Sequence, residues 1–407
     1  MSVEKKVPEI RFKEFSREWE NKKIGRILTE IKRPIELMDN TSYQLVTVKR
    51  RNEGIVPRAV LKGKNILVKN YFSVEAGDYL ISKRQVVHGA NGIVPDNLDG
   101  AVVSNEYLVV TDSDDITARY WTVISIRPEM HKLFFISSYG VDIEKLVFDV
   151  TDWKNRTIFI PQVTEQKNIT DYFQKLDSLI AQHQKKHDKL SSIKKAMLEK
   201  MFPKQSKTIP EIRFKGFSGV WEEKMLGTDI AEIIGGGTPS TSISEFWDGD
   251  IDWYSPTEIG ENVYAEGSQK KITPLGLKSC SAKILPAGNT VLFTSRAGIG
   301  DMAILTKPGS TNQGFQSLIV KGGYSPYFIF SAGKQIKDFA LKHASGSTFL
   351  EISGKQLGRM KILMPSLEEQ TAIGNYFKKL DNLINQYQQQ ITKLNKIKQA
   401  CLSKMFI

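Results

Sequence analysis

The chain contains a partial copy of itself, and this limits its fold more than any other feature. VPEIRFKEFSREWE at 7–20 returns as IPEIRFKGFSGVWE at 209–222. EQKNITDYFQKLDSLIAQHQKKHDKLSSIKKAMLEKMF at 165–202 returns as EQTAIGNYFKKLDNLINQYQQQITKLNKIKQACLSKMF at 369–406, with about half of the residues identical. Two copies are too few for a solenoid. The chain therefore reads as two tandem halves, each an opening PEIRF stretch, a variable region of about 150 residues and a closing segment.

The closing segments read as helices. Ile169, Phe173, Leu176, Ile180, His183, His187 and Leu190 recur at alternating spacings of four and three, and Ile373, Phe377, Leu380, Ile384, Tyr387, Ile391 and Leu394 keep the same register. A stripe this narrow suits pairing with another helix better than packing on a broad globular face. The expected seam comprises Ile169, Phe173, Leu176, Ile180 and Leu190 with Ile373, Phe377, Leu380, Ile384 and Leu394. Pro161 and Pro365 mark the helix entries, where a missing N–H costs nothing. A helix of about 36 residues would run roughly 54 Å at about 1.5 Å per residue.

At 407 residues and 40% hydrophobic content the chain can bury more than one core. Cys280 and Cys401 stand far apart, with no cysteine or histidine at ligand spacing beside them. That argues against a zinc site or a disulfide framework and for a reducing compartment. MSVEKKVPEIRFKEF is too charged for a signal peptide, and no stretch reaches the roughly 18 apolar residues of a spanning helix. The expectation is a cytoplasmic protein with no membrane partner. The net charge of +12 is split evenly between the halves. It suits a polyanionic partner through counterion release, although an anionic surface or plain solubility would also account for it.

The variable regions are short apolar runs, YQLVTV, YLVV, TVLF and SLIV, broken by Gly, Pro, Asn and Asp, as in mixed sheets. A common skeleton survives beneath their divergence. AGDYLISKR at 76–84 matches AGNTVLFTSR at 287–296, and SNEYLVV at 104–110 matches TNQGFQSLIV at 311–320. Arg84 and Arg296 then fall at equivalent strand ends, and Asn105-Glu106 is set against Asn312-Gln313.

Catalytic signatures are absent from the sequence. GGGTPS at 235–240 lacks the spacing of a P-loop or a dinucleotide fingerprint. There is no Asn-Pro-Pro-aromatic tetrapeptide of an amino-methyltransferase, no nucleophile elbow and no H-E-x-x-H. Asp96, Asp99 and Glu106 have no E-x-K at nuclease spacing.

With these residues in view, the whole chain resembles the DNA-specificity subunit of a type I restriction-modification system. The P-x-x-x-E-Q start of each repeated helix, followed by Y-F-x-K-L-D-x-L-I, is similar to that family's conserved regions. GGGTPSTSISEFWDGDIDWYSP and TSRAGIGDMAIL with TNQGFQSL resemble its target recognition domains. In the first half EIKRPIELMDNTSYQLVTVKRRNEGI stands where the Gly-Gly-Thr-Pro motif would be. The resemblance implies an α+β fold, with two mixed α/β target recognition domains joined by two long antiparallel coiled-coil helices in a pseudo-two-fold repeat. The domains would be 1–160 and 205–364, and the helices 161–204 and 365–407. It also implies a non-catalytic chain that binds double-stranded DNA at a bipartite, asymmetric target. Modification subunits using S-adenosylmethionine and a restriction subunit using ATP and Mg would do the chemistry, and this chain would hold no cofactor or metal. The alternatives are a nucleic-acid-binding scaffold without sequence preference, or a metal-dependent nuclease built on Asp96, Asp99 and Glu106.

Base reading falls to polar and basic loop side chains, since Arg or Lys pairs with guanine and Asn or Gln with adenine. The candidates are Lys49, Arg50, Arg51, Lys83, Arg84, Gln85 and Asn91 in the first half. In the second they are Thr238, Ser240, Thr241, Tyr254, Lys270, Lys271, Ser295, Arg296 and Gln313. Several of these would touch only phosphates.

Overall fold

The computed structural model describes residues 7–67, 70–204, 207–260, 262–296, 298–346 and 350–407. The first six residues, on which the signal-peptide reading rests in part, lie outside them. By contacts the chain divides into two compact units, Met1–Gln182 with Gln390–Ile407, and His183–Gln389. Each repeated segment is one continuous helix, Val163–Lys200 and Leu367–Lys404, and each contributes to both units.

The repeated residues build the same frame in each unit. In the first, the Arg11 guanidinium grips Glu165 through Nε and Nη2, both at 2.7 Å, and Ile10 N–H donates to the Lys404 carbonyl. In the second, Arg213 grips Glu369 at 2.7 and 2.6 Å, and Ile212 N–H donates to the Lys200 carbonyl. The PEIRF stretch thus ties the start of one long helix to the end of the other. Two-pronged Arg–carboxylate pairing fixes geometry as well as charge. The glutamine that follows each glutamate is a staple. Gln166 Nε2 donates to the Pro161 carbonyl while its Oε1 accepts from Thr117 N–H, and Gln370 makes the same bonds to Pro365 and Ser325. Thr117 and Ser325 are the N-caps of short helices, Ala118–Ile124 and Pro326–Ser331, so the staple fixes how the variable region leaves the frame.

Aromatic packing repeats as well. Trp19 meets Phe406 edge-on at 6.0 Å, and Trp221 meets Phe202 edge-on at the same 6.0 Å. The heptad residues lie in these cores. Ile169, Phe173 and Leu176 cluster with Trp19, Tyr120, Cys401, Met405 and Phe406, with Leu394 and Ile397 packed alongside. Ile373, Phe377 and Leu380 cluster with Trp221, Met201 and Phe202, with Leu190, Ile193 and Met197 alongside. Apart from Ile180 and Ile384, each seam residue therefore faces the opposite end of the other helix, as antiparallel pairing requires, and also the core of its unit. Ile180 and Ile384 are half-buried. Interhelix ion pairs obey the same symmetry, Asp177 with Lys398 at 2.6 Å and Asp381 with Lys194.

Each variable region carries an antiparallel sheet of related order. In the first unit the strands run Thr29–Glu30, Tyr107–Thr111, Tyr79–Ser82, Asn91–Ile93. In the second they run Ala231–Gly235, Gln316–Val320, Thr290–Phe293, Met302–Leu305, with Tyr264–Ala265 added in parallel at the edge. A ribbon closes each region ahead of its long helix, Glu20–Lys23 on Thr157–Ile160 and Glu222–Met225 on Lys361–Met364. The remaining sheets differ. Among the described residues the first unit adds a five-stranded sheet, including the hairpin Ser42–Val48 and Ile55–Lys62, and a two-stranded ribbon of Ser138–Tyr139 on Val147–Phe148, whereas the second adds a three-stranded sheet. The frame is repeated, and the divergence lies in what the frame carries.

Candidate nucleic-acid interface

In the second unit the polar candidates gather where strands end. The strand Ala231–Gly235 runs into Gly236 and Gly237, which pack against the end of Gly309–Thr311. A Cβ on Gly236 would lie 2.0 Å from the Asn312 carbonyl oxygen, so glycine is required by contact. This explains the GGGTPS run as a packing device. The chain then presents Thr238, whose hydroxyl donates to Gln313 Oε1. Trp253 Nε1 donates to the Gly237 carbonyl at 2.9 Å, and Trp247 Nε1 to the Ser240 carbonyl at 3.0 Å. The two indoles meet edge-on at 5.1 Å, and Lys270 Nζ sits 5.8 Å above the Trp247 ring. Ser240 and Thr241 are exposed beside them. Lys271 pairs with Asp252 at 3.7 Å. Arg296 follows Ser295, whose N–H donates to the Gly314 carbonyl, one residue beyond Gln313. The nearest carboxylate paired with Arg296 is Glu351, a long contact of 3.9 Å from Nη1. Thr238, Gln313 and Arg296 thus stand on adjoining loops, with Trp247 and Lys270 extending the face above the buried Trp253.

In the first unit the hairpin tip carries Lys49, Arg50 and Arg51. Arg51 and Asn52 both adopt left-handed backbone (φ 59° and 57°), a turn that suits asparagine. Their N–H groups donate to the His88 and Gly89 carbonyls, docking the tip beside the Lys83–Asn91 segment. Lys49 pairs with Glu53, Arg50 with Glu144 at 2.7 Å, and Arg84 with Glu106 at 2.9 Å. Lys83 Nζ donates to the Asn105 carbonyl.

Four candidates are placed otherwise than their sequence positions suggest. Asn91 is 2% exposed and accepts from the Tyr79 hydroxyl, so it belongs to the core. Burial pushes that phenol's pKa up, although Ser125 opposes the shift. Gln85 is half-buried with its Oε1 enclosed. Tyr254, 1% exposed, packs with Ile234, Leu292 and Phe315, and burial, reinforced by Asp252 and Glu258, raises its pKa as well. Ser295 is 0% exposed. For Gln85, Asn91 and Ser295 the reason is shared: the strands Tyr79–Ser82 and Thr290–Phe293 are inner strands covered on both faces, so residues continuing or flanking them are buried with them, whereas Tyr254 ends the middle strand of a separate three-stranded sheet.

The strand ladders also revise the matching of Asn105-Glu106 with Asn312-Gln313. Ser82 pairs with Tyr107 and Thr294 with Phe315, while Lys83 N–H bonds the Glu106 carbonyl as Ser295 N–H bonds that of Gly314. The structural counterpart of Glu106 is therefore Gly314. Sequence reasoning missed Glu106, Glu144 and Glu351 as partners of the arginines, and Trp247, packed on the buried Trp253, as part of the face. The aromatic spacing in FWDGDIDWY is the signal that could have found the tryptophans.

Asp96, Asp99 and Glu106 do not converge. Asp99 accepts from Ala76 N–H and Glu106 faces Arg84, and among the described residues no group of three His, Cys, Asp or Glu could hold a metal. No helix of the described residues is long and apolar enough to cross a membrane.

Residues 219–397 match the family described as Type I restriction modification DNA specificity domain. The specificity subunit of type I restriction enzyme MjaIX from Methanocaldococcus jannaschii is 38% identical over 192 residues, 46% of this chain and 44% of that protein. That of EcoR124I/EcoR124II from Escherichia coli is 33% identical over 176 residues, 41% and 42%. The chain thus spans less than half the length of these curated relatives. A crystal structure of a type I restriction-modification system S subunit from M. genitalium shares the fold, with a TM-score of 0.57 at 14% identity over 98% of this chain and 99% of that one. Residues 219–397 are therefore similar to the type I restriction-modification DNA specificity domain.

Proposed function

We propose that this chain is the DNA-specificity subunit of a type I restriction-modification complex, each unit reading one part of a bipartite, asymmetric duplex target. One observation carries the reading: the two units share their frame down to individual bonds, Arg11 to Glu165 and Arg213 to Glu369, and differ in the polar loops at the strand ends. A scaffold alone would have no use for that pattern, whereas two readers of different sequences require it. Arginine and glutamine side chains on such loops match the acceptor and donor edges of guanine and adenine, and lysines suit phosphates.

The chain itself performs no chemistry in this reading. Modification subunits would transfer a methyl group from S-adenosylmethionine to adenine, and a restriction subunit would use ATP and Mg to translocate and cleave. The relatives are themselves named specificity subunits. The test is to map methylated adenines after producing the chain with a modification subunit. Methylation confined to one asymmetric, two-part sequence is expected; methylation that does not depend on this chain would refute the reading.

A further inference from the structure

Arg84 and Arg296 occupy equivalent places in the two sheets, yet their surroundings differ in one respect. Across the ladder from Lys83, just before Arg84, stands Glu106, and across from Ser295, just before Arg296, stands Gly314, which has no side chain. Arg84 donates to Glu106 through Nε alone, at 2.9 Å. That leaves the four N–H groups of the two terminal nitrogens for another acceptor. Glu106 is held in turn, since its carbonyl accepts from Lys83 N–H while Lys83 Nζ donates to the neighbouring Asn105 carbonyl at 2.7 Å. Both side chains of the pair are about half exposed, so the guanidinium is oriented and still open to solvent (57% and 47%).

The geometry has a direct chemical use. A guanine edge offers O6 and N7 to a pair of parallel N–H donors, and an arginine satisfies both only when its fork faces outward. An exposed arginine otherwise loses rotamer freedom on binding, and a carboxylate on its Nε edge restricts that freedom beforehand. Arg296 lacks this support: its carboxylate partner, Glu351, approaches a terminal nitrogen instead, at 3.9 Å.

We propose that Glu106 is a positioning residue that sets the Arg84 fork for guanine, making the first unit stringent at one base pair. The proposal rests on reading the chain as a sequence-specific DNA binder.

The experiment is selection from a randomised duplex library by the full-length chain, with affinities measured on the enriched sequence and its single-base variants. Glu106→Gly should lower the preference for guanine at one position about tenfold and leave the other half-site unchanged. Glu106→Gln keeps an acceptor oxygen and should retain most of the preference, a rescue that loss of fold would not give. Arg84→Ala should abolish the preference, and adding Glu106→Gly to it should change nothing further. Unaltered preference in Glu106→Gly beside altered preference in Arg84→Ala would overturn the proposal and leave the DNA reading intact. A further loss on combining the two would overturn it by making Glu106 a reader itself. A chain that enriches no sequence would overturn both.

Discussion

His183 and Tyr387 are the same position of the repeat, and they touch. Their rings lie 5.5 Å apart with 45° between planes, and Lys186 Nζ sits 5.6 Å above the tyrosine. Only at the midpoint of an antiparallel pair can a residue meet its own copy. A double-mutant cycle of His183→Ala and Tyr387→Ala should give a coupling of about 0.5–1.5 kcal/mol in chemical denaturation. Zero coupling would place the midpoint elsewhere.

The Arg–Glu grips should be costly to halve. Glu165 and Glu369 are each 1% exposed, so removing an arginine strands a buried charge. Arg11→Ala or Arg213→Ala is expected to cost about 3–5 kcal/mol. Replacing both partners of one grip with apolar residues should cost much less, because no charge is left unpaired. Denaturation midpoints of the single and double replacements check this.

Leu176 and Leu380 are repeat copies buried in different cores. Each change to Ala should cost about 2–5 kcal/mol. The two should add within about 0.5 kcal/mol, as distant sites do. A strongly coupled pair would contradict the antiparallel arrangement.

Burial holds the His131 imidazole below its ordinary pKa. The unfolded chain therefore takes up a proton at a higher pH than the folded chain. The stability supplied by neutral His131 is complete above the unfolded pKa of about 6.5 and falls as the pH drops below it. His131→Gln should flatten that part of the stability curve, and an identical slope in both proteins would refute the assignment.

A chain ending at Pro203 should dimerise. Trp19 rests on Phe406 as Trp221 rests on Phe202, both at 6.0 Å, so the Phe202 of a second copy can fill the place that Phe406 leaves. Light scattering decides the matter: a stable monomer would show that the two frames are not interchangeable.

Much of this architecture was legible because it is periodic or repeated. The stripes from Ile169 and Ile373 announce two helices, and the matching flanks announce two related units. What was hidden depends on contacts far apart in sequence. Arg11 meets Glu165 across 154 residues, a pairing no local pattern marks. Asn91 and Ser295 look like polar loop residues until the strand order shows that they adjoin covered strands, and Tyr254 until it is seen to end the middle strand of its own sheet. The similarity of Asn105 to Asn312 suggested a match, but the ladder count displaces it and sets Glu106 against Gly314.

The first core takes Cys401, Met405 and Phe406 from the far end of the second helix. During synthesis, Trp19 and Tyr120 leave the ribosome long before those residues exist. At roughly 5–20 residues per second, the more than two hundred residues between the first long helix and Phe406 take tens of seconds to make. For that interval the first unit has a gap where the last turn belongs, with aromatic surface open to chaperones or to another nascent chain. The second unit draws its corresponding pieces, Met201 and Phe202, from residues made ahead of it. Two units built on one plan therefore mature in the reverse of the order in which they are translated.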